Sequence, residues 1–290
     1  MKLILRLFLL ALITLHGTRS ASSGTACGRA QTANEDSPRA ALNRAFDKGN
    51  LLVALSPVDW RPGLALAATW LRPNGTVTVE LALNRHQDYA FVATTAPDAD
   101  LDLYLRDSTG TVLVADQQTD GTPIVEFRVP RTGNYRLQLH LAATENDGEW
   151  VALALLQSAG KAVPENQYRQ QADRFFTLTD QLTATEKRWL GTPGCWAVQG
   201  FVLASQPGHT MTNFRPGEGV TTLATTPGRK NGRRALYLAD EEQKIVATSA
   251  ADAPFPVLSF PTLAGKAYQF RLETANNALP ELVLIAAFEN

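Results

Sequence analysis

Val77-Thr78-Val79-Glu80-Leu81-Ala82 decides how this chain is read. Val77, Val79 and Leu81 alternate with Thr78, Glu80 and Ala82, and a period of two puts the apolar side chains on one face of a strand. Downstream, strand-like runs follow at 89–93, 101–105, 112–115, 124–129, 135–141 and 150–156. Turn formers stand between them: Asn74-Gly75, Ser108-Thr109-Gly110, Asp120-Gly121 and Thr132-Gly133. Short strands so spaced, with no helix between them, predict an antiparallel β-sandwich over residues 64–160.

The pattern then repeats. Leu103-Tyr104-Leu105 returns as Leu236-Tyr237-Leu238, and Pro123-Ile124-Val125-Glu126-Phe127 as Pro256-Val257-Leu258-Ser259-Phe260. Gly133 with Tyr135, Leu137 and Leu139 returns as Gly265 with Tyr268, Phe270 and Leu272, the offset holding at 132 or 133 residues. Ala93-Thr94-Thr95 matches Ala224-Thr225-Thr226, and Trp70 with Gly75 is matched to Trp196 with Gly200. A duplication explains one order kept over so long a stretch. The chain is therefore expected to be mostly β: two tandem antiparallel, jelly-roll-like β-sandwiches, the second over 194–290, with Tyr104 and Tyr237 at equivalent places in two separate cores.

Helical signals flank the first sandwich. Within the N-terminal tail, 22–63, Ser37-Pro38 is an N-cap followed by proline at the first helical position, and Leu42, Ala45 and Phe46 continue a short helix to Gly49. At Pro164 the composition turns polar, and Tyr168, Ala172, Phe175 and Leu182 fall at helical spacing. Thr183 with Glu186 reads as a capping box for a second helical start before Trp189. Residues 161–193 are expected to form a short helical connector.

The first 21 residues have the form of a secretory signal peptide: Lys2 and Arg6, an apolar run from Leu7 to Leu15, then small residues at Thr18, Ser20 and Ala21. No later stretch has the roughly 20 apolar residues that a transmembrane helix requires. The chain holds 27 basic and 28 acidic residues, and its first twenty contain three of the basic ones and none of the acidic. The exported chain is thus net acidic, which excludes a nucleic-acid partner that needs a basic face. It is expected in the periplasm or secreted. Cys27 and Cys195 survive export, and an even count in an oxidising compartment reads as one disulfide. Two unpaired thiols, or a lipid on Cys27, are the other readings.

No G-x-S-x-G, H-E-x-x-H, C-x-x-C or phosphate-binding glycine loop is present. His86, His140 and His209 are scattered and do not match in the repeat. Paired acids such as Glu80, Asp147 and Glu149, or the tryptophans Trp60, Trp70, Trp150, Trp189 and Trp196, would serve glycan chemistry or stacking only if folding gathered them. Otherwise they are polar faces and core.

The run Tyr89-Ala90-Phe91, Asp98-Ala99-Asp100-Leu101-Asp102-Leu103-Tyr104-Leu105, Gly110 with Val114, and Pro130-Arg131-Thr132-Gly133-Asn134-Tyr135 resembles the bacterial pre-peptidase C-terminal (PPC) domain. The resemblance covers 70–157, and 196–288 more weakly. It implies a jelly-roll-like sandwich with an accessory or binding role and carries no catalytic residue. Some relatives bind calcium through acidic residues, which makes Asp98, Asp100 and Asp102 the candidate metal ligands; alternation on a strand would set them on one face, near Asp116 and Asp120. A solvated strand end that opposes edge aggregation is the plainer reading. In the second copy Arg229, Lys230, Arg233 and Arg234 take the place of the acids, and they read as a soluble loop or as a landing point for an anionic ligand. These features together predict an exported, non-catalytic binding or adaptor protein of the bacterial cell envelope, its partner an envelope protein or a glycan. The alternatives are a glycan- or peptide-processing enzyme with a site between the two sandwiches, and a structural subunit of a surface assembly.

Overall fold

The chain is described by a computed structural model over residues 37–185, 187–203, 211–225, 234–249, 255–274 and 281–290. The predicted signal peptide, Cys27, Arg229, Lys230 and Arg233 lie outside the described residues, as does the Arg234 side chain.

The first unit begins with helix α1 (Pro38–Leu55). Nine strands follow: β1 (Asp59–Trp60), β2 (Gly63–Leu71), β3 (Thr76–Leu83), β4 (Asp88–Thr94), β5 (Asp100–Arg106), β6 (Val112–Asp116), β7 (Ile124–Arg128), β8 (Gly133–Ala143) and β9 (Glu149–Gln157). The second unit repeats that order: α2 (Glu165–Thr183), then β10 (Arg188–Trp189), β11 (Val198–Leu203), β12 (Met211–Phe214), β13 (Gly219–Thr225), β14 (Arg234–Ala239), β15 (Ile245–Thr248), β16 (Val257–Thr262), β17 (Tyr268–Thr274) and β18 (Glu281–Glu289). In the first unit β9 pairs with β1, β2 and β4, β4 with β7, and a second sheet runs β3-β8-β5-β6. In the second, β18 pairs with β10, β11 and β13, β13 with β16, and the other sheet runs β12-β17-β14-β15. The strand orders are identical, as a duplication requires.

The helices belong to the repeat. The connector expected at 161–193 is, over α2, the counterpart of α1, because each helix precedes the same pair of strands. Ser37 Oγ accepts from Ala40 N at 3.1 Å, the expected cap, yet α1 runs through Gly49 to Leu55. Gly49 does not stop the helix. It makes room for a ring, since a Cβ there would lie 2.7 Å from the Trp60 indole. Of the second helical start expected at Thr183, Glu186 lies outside the described residues; α2 ends at Thr183 and Trp189 pairs with Phe288 in a strand.

Strands β2 and β11 are the same strand of the two copies, and they lie side by side with their contacts in opposite order along the two chains. Pro62 bridges Val202, Leu66 meets Gly200, and Thr69 Oγ1 donates to the Cys195 carbonyl at 2.8 Å. That is the geometry of a two-fold axis between like units. The helices meet across it. Phe46 stacks on Tyr168 with centroids 3.7 Å apart and on Trp60 at 4.9 Å, and the Tyr168 hydroxyl donates to Asn43 Oδ1 at 2.9 Å. Ion pairs Arg39–Asp173 and Arg169–Asp47 flank the stack. Exposed pairs contribute about 0–1 kcal/mol each, so the buried rings dominate the helix contact.

Three layers result: both helices, the two inner sheets joined at β2 and β11, and the two outer sheets. One cluster of buried side chains fills the space between inner and outer sheets through both units. The expectation of two separate cores is corrected accordingly; Trp196 even crosses the junction to donate to the Thr78 carbonyl at 3.3 Å. The match of Trp70 to Trp196 also fails. Trp70 faces Trp150 in β9, and the residue in that position of the second unit is Val202, which faces Leu282 in β18.

Close passage at the junction requires glycine. A Cβ on Gly200 would stand 2.9 Å from Leu66 Cβ and 3.0 Å from Leu284 Cδ2. Gly200→Val is expected to destabilise the whole chain by about 1–3 kcal/mol, whereas Gly133→Ala, where a Cβ meets nothing within 4 Å, is expected to be near neutral; urea unfolding of the two variants beside the parent measures both.

Candidate functional site

With helices covering one side of the inner sheets and the outer sheets covering the other, the outward faces of the outer sheets remain open to solvent. In the first unit, strand alternation sends Leu101, Leu103 and Leu105 into the core and Asp102, Tyr104 and Arg106 outward. The placement of Tyr104 and Tyr237 in the core is thereby corrected. They do occupy equivalent strands, β5 and β14, but each is half-exposed while the flanking leucines are buried.

Register assembles rows across this face. Asp102 faces His140, which faces Thr76. Tyr104 faces Gln138, which faces Thr78, and Arg106 faces Arg136, which faces Glu80. The side chains then link. Gln117 Nε2 donates to the Tyr104 hydroxyl at 2.8 Å, that hydroxyl donates to Asp102 Oδ2 at 2.9 Å, and His140 Nδ1 stands 3.0 Å from the same carboxylate oxygen. Arg106 Nε donates to Gln138 Oε1 at 2.9 Å, with its guanidinium 5.4 Å from the centre of the Tyr104 ring. Glu80 pairs with Arg136 at 3.3 Å. Asp102 is only 8% exposed although it faces outward, because Tyr104 and His140 close over it. Burial, and then the bond to Asp102, raise the Tyr104 phenol above its ordinary pKa.

Nothing in the fold demands this network. On the same outward positions of the second unit, Ala235 stands for Asp102 and Ala239 for Arg106, with Tyr237 kept between them opposite Arg271. An Asp–His pair can orient a general base, but no serine or cysteine stands in the three rows to be activated. Among the described residues, the buried side chains at the junction between the units belong to one core cluster. A void of about 10 Å³ beside Trp196, Gln199 and Phe270 in the second unit is a small gap in the packing, beside the buried Gln199 Oε1.

Of the three aspartates of the calcium expectation, Asp98 is exposed ahead of β5, while Asp100 and Asp102 lie near enough for their charges to interact, with a register shift between Asp100 and Leu101. Asp102 Oδ2 is engaged by Tyr104 and His140. Among the described residues no three acidic, histidine or cysteine side chains gather as a metal-ligand set. Asp120 does come beside Asp100, its carbonyl accepting from Leu101 N at 3.0 Å, while Asp116 Oδ2 accepts from Ile124 N. Cys195 is a buried free thiol 3.3 Å from the Arg215 carbonyl, and burial raises its pKa. Its expected partner, Cys27, is outside the described residues. The tryptophans form no exposed platform: Trp60, Trp150 and Trp196 are buried, and Trp70 and Trp189 flank Trp150 edge-on.

His140, Gln138, Gln117 and Arg106 were not legible as a site. The one signal available was the alternation of β5 and β8, and it becomes informative only when their register is known.

No family model matches the chain, and no curated protein does. Solved structures do. PliG of Aeromonas hydrophila, a periplasmic inhibitor of g-type lysozyme, is 14% identical over 33% of this chain and 86% of its own, with a TM-score of 0.25. The PBSX exported protein XepA is 10% identical over 78% of this chain and 85% of its own, at 0.26. The tandem CBM22-1–CBM22-2 domain of Paenibacillus barcinonensis Xyn10C is 9% identical over 79% and 99%, at 0.22. At such values no residue role and no ligand passes from these proteins to this chain. No helix among the described residues is long and apolar enough to cross a membrane.

One charge on the margin of the face is costly. Asp100 Oδ1 is buried without a hydrogen-bond partner; burial first, then the charges of Asp102 and Asp120, raise the Asp100 pKa. A carboxyl whose folded pKa lies above its unfolded one favours folding while protonated, and this contribution is lost as pH rises through the folded value. Asp100→Asn is therefore expected to raise the melting temperature at neutral pH, with the gain shrinking as pH falls into the carboxylate range. Melting curves across that range test the sign.

Proposed function

We propose that this is an exported, non-catalytic binding protein of the cell envelope whose ligand docks on the outward face of β3-β8-β5-β6. The observation that carries this reading is the linked set Gln117, Tyr104, Asp102 and His140, built on the first unit and absent from the matching strand of the second, where Ala235 and Ala239 replace Asp102 and Arg106. Holding a carboxylate 8% exposed on a surface strand opposes its hydration, and at the matching position of the other unit the strand carries Ala235 instead. Side chains locked on strands also lose little freedom on binding, which favours affinity.

Export is supported by the N-terminal charged, apolar and small-residue segments. An accessory role is supported by the resemblance of 70–157 to the PPC domain. The second unit, in this reading, completes the shared core and holds the first rigid.

The test is sedimentation of the purified chain with insoluble envelope material. Tyr104→Ala is expected to weaken binding by at least about tenfold, as truncating a central aromatic anchor does, and Tyr237→Ala to leave it within about twofold, the size of a change at a neutral contact. Equal losses from both variants, or from neither, would remove this face as the binding surface.

A further inference from the structure

We infer that the ligand of this face is a neutral, polyhydroxylated chain, a short stretch of uncharged polysaccharide. The inference rests on the binding reading above and names the chemistry that the face selects.

Charge is balanced within the face. Its two carboxylates, Glu80 and Asp102, are equalled in number by the guanidiniums of Arg136 and Arg106, with Glu80 paired directly to Arg136. A polyanion or polycation would find no uncompensated field to steer it, which is how such ligands are ordinarily captured. Val112 and Leu113 of β6 are exposed, but the outward positions on β3, β8 and β5 hold hydroxyl, amide, imidazole, carboxylate and guanidinium groups around one aromatic ring, which suits a polar ligand better than an apolar one.

What these groups offer is paired donors and acceptors. The amides of Gln138 and Gln117 and the hydroxyls of Thr76 and Thr78 each donate and accept, which is what a ligand made of hydroxyl groups requires. A hydroxyl that loses water on binding must recover both kinds of bond or the loss is not repaid. Tyr104 adds a partly exposed ring at the centre, an apolar contact for the C–H groups of a sugar, with the Arg106 guanidinium over it and its hydroxyl fixed at both sides. Three strands at about 4.8 Å spacing and three alternate rows at about 7 Å give a patch of about 10 Å by 14 Å. Those dimensions suit a short oligosaccharide segment rather than a single sugar.

Purified full-length mature chain is run by affinity electrophoresis through gels containing dextran, galactomannan, hydroxyethyl cellulose or polygalacturonate, with gelatin as a protein control. The expected result is retardation by at least one neutral polysaccharide, unchanged between low and high salt, and reduced at least about tenfold by Tyr104→Ala. Gln138→Ala, which truncates a side chain on the solvent face, is expected to reduce it as well and guards against a folding defect in the first variant. Retardation by polygalacturonate that collapses with salt, binding to gelatin alone, or no retardation by any neutral polymer would overturn the inference. If Tyr104-dependent sedimentation with envelope material persisted in any of those cases, the binding face would stand and only its ligand class would fall. Loss of both would remove both.

Discussion

The structure depends on the close passage of two like strands, β2 and β11, at a glycine. At Gly200 the β11 backbone comes so near Leu66 and Leu284 that a single methyl group would collide with both. That approach brings the two inner sheets edge to edge, and β2 and β11 are buried along almost their whole length rather than at alternate residues. Joined inner sheets then present one broad apolar surface to the helices. Neither helix alone could cover it, and Phe46 and Tyr168 stack where the two helices meet.

This layering decides where function can reside. Inner-sheet faces are committed to packing on one side against helices and on the other against outer sheets, and the junction is filled by Trp196 reaching Thr78. Polar side chains with freedom to bind are left to the outward faces of β3-β8-β5-β6 and β12-β17-β14-β15. A duplicated unit has two such faces and structural need of neither. The leucines at 103, 105, 236 and 238 and the tyrosines between them persist in both copies, while Asp102 and Arg106 have alanine counterparts. Asp102 and Arg106 are thus specific to the first copy, while the strand framework is common to both.

Strand positions were readable because burial on one face imposes a period of two, and the runs from 89–93 to 150–156 lie almost wholly within β4 to β9. The helix start at Ser37 was readable for a local reason too, as a side-chain cap satisfies an amide three residues away. Local reasoning failed where a distant residue took over. Gly49 resembles a helix stop, but its lack of a side chain serves Trp60. Thr183 resembles a cap, but the chain beyond it is drawn into a strand against β18. Trp70 and Trp196 are alike in sequence and occupy different registers. Alternation placed Asp98, Asp100 and Asp102 together, but β5 starts only at Asp100 and leaves Asp98 outside the strand.

The amino-acid sequence by itself determined the β character of the chain, the copying of its unit and the outward or inward side of most strand residues, since each follows from periodicity along one segment. Only the tertiary structure decided which strands became neighbours, hence that Asp102 would meet His140, that Gln117 would reach Tyr104, and that one core would run through both units. Periodicity assigns a side chain to a face. Register and strand order, set by packing between segments far apart in the chain, assign it a partner.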